Sequence, residues 1–140
     1  MHFLGLIGEY VLIQNHENKF LFLEWASYTK FKNKLHLPGG RSDFEDEAGA
    51  SLLRELKEEI SLNKNDLQEI KPFFLKKTFN EYPRYSVIFS AKIKKEAEKK
   101  VKIGELEHFS KIHWLTKEEI LKMPKEKLFL EFTKELIQKV

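Results

Sequence analysis

Three carboxylates, Glu55, Glu58 and Glu59, stand at i, i+3 and i+4 inside the run Arg54-Glu55-Leu56-Lys57-Glu58-Glu59. On a helix that spacing sends all three side chains out of one face. Leu52, Leu53, Leu56 and Ile60 fall on the opposite face, so the same segment predicts an amphipathic helix with a buried apolar stripe. Like charges so placed cost a surface helix about a few tenths of a kcal/mol per pair. A chain that keeps three of them just after Pro38-Gly39-Gly40 has a use for them, and carboxylate oxygens suit a hard divalent cation such as Mg²⁺. With 34% of residues charged, a solvated Glu/Lys face is the competing explanation. The Pro-Gly-Gly offset and the apolar stripe speak against it.

The 23 residues from Gly40 to Leu62 resemble the Nudix box, G-x5-E-x7-R-E-U-x-E-E-x-G-U, where U is a bulky aliphatic residue. In one ungapped register the chain supplies Gly40, Arg54, Glu55, Leu56, Glu58, Glu59 and Leu62; Asp46 replaces the first Glu and Ser61 the late Gly. The resemblance implies an α/β fold, an α/β/α sandwich with a mixed β-sheet and the box as loop–helix–loop, as a single domain over residues 1–140. It implies hydrolysis of a nucleoside diphosphate linked to another group, by water attack on phosphorus, with Mg²⁺ as cofactor and Mn²⁺ as a substitute.

Carried onto this chain, the resemblance makes Glu59 the leading metal ligand, with Glu55, Glu58 and the Gly39 carbonyl completing the set. Glu55 is also the box candidate for general base. Arg54 would hold a carboxylate and orient the loop, and Asp46 would do the orienting job of the missing Glu with a shorter reach. Glu107, ahead of Trp114, is similar to the late acidic position of some members, as base or ligand, with Glu105 as its competitor. Two other readings share the box. One is a Nudix-fold module that binds a nucleotide without cutting it, suggested by Asp46 and Ser61. The other is an RNA-end pyrophosphohydrolase, which needs a basic groove that three Arg hardly supply.

Composition narrows the setting. A chain of 140 residues, 41% hydrophobic, is long enough for a real core. No stretch approaches the roughly 18 apolar residues of a membrane span, and the apolar start, interrupted by Glu9, resembles a first strand more than a signal peptide. The lack of Cys removes thiolate metal sites and disulfides and fits a cytoplasmic protein. A net charge of +3, carried by scattered Lys, favours anionic small molecules rather than sequence-specific nucleic acid. The five His lack paired metal spacing, which argues against zinc. Tyr28, His36, Phe79 and Tyr82 are the candidates for touching substrate. A nucleoside triphosphate, oxidised forms included, or a nucleotide sugar is the expected ligand. The oligomeric state is open, with a dimer possible.

The order of elements follows from patterning. Strands are expected at Gly8 to Gln14 and Phe20 to Trp25, joined by a hairpin through Asn15 to Lys19. A short strand at Leu35-His36-Leu37 leads into a Gly-Gly turn, and the box helix is expected from about Glu45 to Ile60. Two long strands follow at Leu67 to Thr78 and Tyr85 to Lys94, then a short one at Ile112 to Leu115. Thr116 with Glu119 forms a capping-box signature. Residues 126–139 carry apolar side chains at helical spacing.

Overall fold

The runs Glu9-Tyr10-Val11-Leu12-Ile13 and Phe20-Leu21-Phe22-Leu23 are apolar at nearly every position, so strands built from them need cover on both faces. The computed structural model, which describes residues 6–42, 45–79, 83–106 and 108–140, provides it. The elements are β1 (Leu6–Gln14), β2 (Phe20–Trp25), β3 (Leu35–His36), β4 (Gly39–Arg41), α1 (Ala50–Ile60), β5 (Leu67–Phe79), β6 (Pro83–Ile93), β7 (Phe109–Leu115), α2 (Lys117–Lys122) and α3 (Thr133–Gln138). Alternate residues of β1 and β2 enter separate cores. Tyr10, Leu12, Phe20 and Phe22 pack with Ile120 of α2 and Leu136 and Ile137 of α3. Val11, Ile13, Leu21 and Leu23 pack with Leu52, Leu56 and Ile60 of α1. Burying those three α1 side chains contributes about 1.5–3 kcal/mol each and fixes which way the helix faces. The result is a mixed sheet with helices on both faces, as expected.

The main path of the sheet runs β3-β2-β1-β6-β5, with β4 on β1 and β7 on β2. Strand β1 lies parallel to β6 along its length, from Leu6 opposite Arg84 to Gln14 opposite Lys92. Its other edge is divided: β4 occupies the Gly8 to Tyr10 stretch, and β2 meets it at Gln14 opposite Phe20. This division places the Gly-Gly segment, read from sequence as a turn, inside the sheet.

Local signals explain several boundaries. The first hairpin closes through Asn15, whose Oδ1 accepts the N–H groups of Glu17 and Lys19 at 3.0 and 2.9 Å. Helix α2 starts with both halves of its capping box formed between Thr116 and Glu119. Helix α1 begins at Ala50, not near Glu45, because Gly49 ahead of it is left-handed at φ 86° and Asp46 bonds forward to Ser51 and Arg54 instead of continuing the helix. The C-terminal stripe is α-helical only over Thr133–Gln138, after a single 3-10 turn at Lys125–Lys127. Upstream, Leu128 bridges Leu35 in parallel and the Phe129 N–H donates to the Leu35 carbonyl at 2.8 Å, so the sheet edge claims that backbone.

Candidate active site

Gly39 holds a backbone position closed to other residues. Its φ is +133°, and a Cβ there would stand 2.2 Å from the Glu9 carbonyl oxygen of β1. With the chain pressed against β1, the Gly39 N–H donates to Glu59 Oε1 at 2.9 Å. This bond ties β4 to the last turn of α1.

Glu59 is 5% exposed. Burial pushes its pKa up to about 9, with Glu55, Glu105 and Glu58 adding to the rise and the Gly39 N–H opposing it. Glu55 lies one turn earlier, beside Gly40. Glu105 arrives from the segment before β7. Gly104 presses there on the end of α1, its N–H donating to the Glu59 carbonyl at 2.8 Å, and a Cβ on it would fall 2.2 Å from the Glu58 carbonyl. One oxygen from each of Glu55, Glu59 and Glu105 lies within 4.8 Å of the others. Three hard oxygen donors converging at a half-buried point fit a divalent cation of the Mg²⁺ class. The Glu58 side chain is exposed and stands outside this trio.

Two further acids position the helix. Asp46 Oδ2 accepts from Ser51 Oγ at 2.7 Å and Arg54 Nη1 at 2.8 Å, and these bonds hold its carboxyl below the usual range. Glu9, buried on β1, accepts the Gly49 N–H through Oε2 at 2.9 Å, while its Oε1 is buried with no hydrogen-bond partner among the described residues. Sequence reading passed over Glu9. An acid inside an apolar strand is the signal that marks it.

The carboxylates open onto a cleft of about 370 Å³ that also collects Arg41, Arg84, Trp25, His36 and Phe129. The register puts Arg41 opposite Gly8 and Arg84 opposite Leu6, so β1 brings two of the chain's three arginines to one place. Neither stands out in sequence, because only the pairing joins them. His36 is packed between aromatic neighbours, 4.4 Å from Phe129, 5.2 Å from Tyr10 and 5.9 Å from Trp25 between ring centroids. Burial, and then the charge of Arg84, lower its pKa to about 3, so the ring is neutral at physiological pH. Of the other substrate candidates, Tyr28 is exposed and donates a hydrogen bond to the Leu106 carbonyl. Phe79 stands 72% exposed at the end of β5. Tyr82 and Glu107 lie outside the described residues.

The family model for the NUDIX domain matches residues 8–138. No curated protein is similar enough in sequence to match. Among solved structures, a MutT protein from Methanosarcina mazei Go1 superposes with a TM-score of 0.75 at 20% identity, covering 99% of this chain and 94% of its own. An Ap4A hydrolase from C. elegans gives 0.76 at 18% identity, with 96% and 94% covered. The NUDIX domain of Shewanella oneidensis NrtR, solved with ADP ribose, gives 0.74 at 19% identity, with 99% and 87% covered. At such identities the structures speak for the fold alone. The match across residues 8–138, over a box helix whose Glu55 and Glu59 meet Glu105 at the mouth of a cleft, establishes that the chain belongs to the NUDIX domain family.

Proposed function

We propose that this chain hydrolyses the pyrophosphate linkage of a nucleoside diphosphate derivative with a divalent cation held by Glu55, Glu59 and Glu105. The family carries the coarser part, a Nudix pyrophosphohydrolase acting on phosphoric anhydrides. The observation that carries the finer part is the meeting of three carboxylates within 4.8 Å at a cleft that also holds Arg41 and Arg84. A pyrophosphate is a compact polyanion, and its cleavage is largely a matter of positioning and charge neutralisation. Mg²⁺, or Mn²⁺ in its place, supplies positive charge to the phosphates and activates water.

The chain's own groups do the rest. Arg41 and Arg84 neutralise phosphate oxygens, and Arg forms paired hydrogen bonds to them. The Gly39 N–H fixes the Glu59 carboxylate through Oε1, and the Gly39 carbonyl and Glu58 are reserve donors for the cation or its waters. Glu55, half-buried and beside Gly40, is the proposed base that takes the proton from the attacking water, with Glu105 as its competitor. Trp25 and Phe129, both half-buried at the cleft, offer ring faces to a base or sugar, with the buried His36 packed behind them. Among the similar structures, one is named an Ap4A hydrolase and another was solved with ADP ribose.

The reading as a binding module without catalysis rested on Asp46 and Ser61. Asp46 reaches both Ser51 and Arg54, and Ser61 takes the left-handed conformation that Gly would take. Both departures leave the local geometry in place, which supports the catalytic reading. The test is hydrolysis of a panel of triphosphates, oxidised triphosphates, nucleotide sugars, ADP-ribose and dinucleoside polyphosphates, with Mg²⁺, with Mn²⁺ and with chelator. Metal-dependent release of product from one class is expected; binding without turnover under every condition would establish the module instead.

A further inference from the structure

Tyr10 follows Gly8 by two residues in β1, so both belong to the same face of the strand. Its ring covers that glycine: a Cβ added to Gly8 would stand 2.8 Å from Tyr10 Cε2 and 2.9 Å from its Oη. A side chain at position 8 would push the ring aside. The register fixes what surrounds the hydroxyl. Gly8 lies opposite Arg41 of β4, and Leu6, the next residue along on that face, lies opposite Arg84 of β6. Residues paired across strands share a face of the sheet. The Oη is therefore directed to the stretch of floor that the two arginines flank. Tyr10, Arg41, Arg84, Glu55 and Glu59 all line the one cleft.

The hydroxyl is unusual for a core tyrosine. Tyr10 is 5% exposed, and its ring meets His36 edge-on. A phenol so buried ordinarily finds a hydrogen-bond partner, yet its Oη forms no hydrogen bond among the described residues. Nor is it sealed off, as the unpartnered Glu9 Oε1, His36 Nδ1 and Ser86 Oγ are. It opens on the cleft instead. Burial raises its pKa, with Glu59 and Glu55 adding to the rise and Arg84 and Arg41 opposing it, so the group stays a donor at physiological pH. What it lacks is an acceptor, and between two guanidiniums the fitting acceptor is an anion.

Resting on the pyrophosphohydrolase reading, we infer that Tyr10 is a further catalytic residue, whose Oη–H donates to a non-bridging oxygen of the phosphate held by Arg41, Arg84 and the cation. Arginines and cation draw the phosphate by charge, on flexible or diffusing groups. A phenol fixed by core packing sets where the oxygen rests, and a neutral donor does so without competing for the carboxylates.

The experiment compares wild type with Tyr10→Phe, which keeps the ring and loses only the donor. It measures kcat/KM with Mg²⁺ on the substrate that the panel identifies, and affinity for methylene diphosphonate, a diphosphate that resists hydrolysis, also with Mg²⁺. Both are expected to fall about tenfold or more, the scale of one hydrogen bond to a charged acceptor. Affinity for Mn²⁺ without any phosphate should stay at the wild-type level, a split that a tyrosine merely supporting the carboxylates would not give. Gly8→Ala displaces the Oη while keeping the hydroxyl, and both phosphate readouts should fall there as well; it decides the matter where Tyr10→Phe does not fold. Wild-type values of both readouts in the variant overturn the inference, as does an equal loss of Mn²⁺ affinity. Weakened diphosphonate binding in a protein that turns over nothing keeps the phosphate donor and sinks the hydrolase reading, whereas turnover that the variants leave unchanged does the reverse.

Discussion

Two acids at opposite ends of the same helix, Asp46 and Glu59, are pushed in opposite directions. Asp46, ahead of α1, accepts hydrogen bonds from Ser51 and Arg54 and has its pKa lowered. Glu59, in the last turn, is buried among Glu55, Glu105 and Glu58 and has its pKa raised to about 9. Side-chain chemistry is nearly identical in the two cases. What differs is the surroundings: a guanidinium and solvent for one, apolar cover and other carboxylates for the other. A carboxylate beside a protein cation fixes backbone, here the approach to Ala50. Carboxylates gathered under cover fit an ion that arrives from solution, at a cost in stability until it does.

The sharpest way to break this contrast is Glu59→Gln. Turnover is expected to fall about a thousandfold or more, a loss near 4 kcal/mol of transition-state stabilisation, while thermal melting without metal stays level or rises because a buried acid is gone. Steady-state kinetics and melting of the purified variant check both halves. Activity within a few-fold of wild type would end the assignment of Glu59 to the metal set.

Next in size is the pH dependence of the metal-free protein. Glu59 has an ordinary pKa of 4.5 in the unfolded chain and about 9 in the fold. Below 4.5 both states hold the proton and this acid is neutral to stability. Between 4.5 and 9 the unfolded chain releases a proton that the fold retains, so stability declines as pH rises through that window. Excess Mg²⁺ takes the proton's place and should flatten the slope. Melts in chelator at pH 5, 7 and 9, repeated with Mg²⁺, test it; parallel curves would mean the acids are not coupled to the cation. Asp46 should act with the opposite sign, giving stability above the ordinary carboxylate range that is lost as pH falls through its lowered pKa.

The contrast also shows what a linear reading can reach. Glu55 and Glu59 were legible because their helix has a period, and the Gly-Gly segment was legible because its spacing from the helix is fixed. The start of α1 was not, since it depends on where Asp46 finds partners five and eight residues on. Loop acids have no period at all. Glu105 enters the trio because Gly104 lets the chain touch the end of α1. That glycine immediately before an acid was the available hint. Arg41 and Arg84, 43 positions apart in sequence, are joined only by the pairing of β4 and β6 across β1. In the C-terminal stripe, apolar spacing was read as helix where the backbone of Leu128 and Phe129 serves β3.

A smaller effect is expected at the other acid group. Asp46→Asn keeps the shape but removes the charge that draws Arg54, and activity should fall roughly tenfold, the usual scale for groups that orient a metal set without joining it. Asp46→Glu, which restores the family residue, should recover it. A loss as deep as that of Glu59→Gln would erase the distinction between the two groups.

The smallest expected effect isolates the backbone from the carboxylates. Ser61 ends α1 at φ 63° and ψ 27°, with its N–H donating to the Leu56 carbonyl. A residue with a Cβ is disfavoured in that left-handed region by about 1 kcal/mol relative to Gly, which adopts it freely. Ser61→Gly therefore relieves strain at the helix exit, and the gain is partly offset because Gly adds freedom to the unfolded chain. The net expectation is a stabilisation of about 0.5 kcal/mol or less, read as a slightly higher denaturation midpoint with an unchanged slope. Glu59 lies two residues away and is held by the Gly39 N–H from the opposite direction, so kcat should stay at the wild-type level. If kcat changes with the midpoint, the helix exit shares in placing Glu59, and the properties of the buried acids then owe as much to how α1 ends as to which side chains surround them.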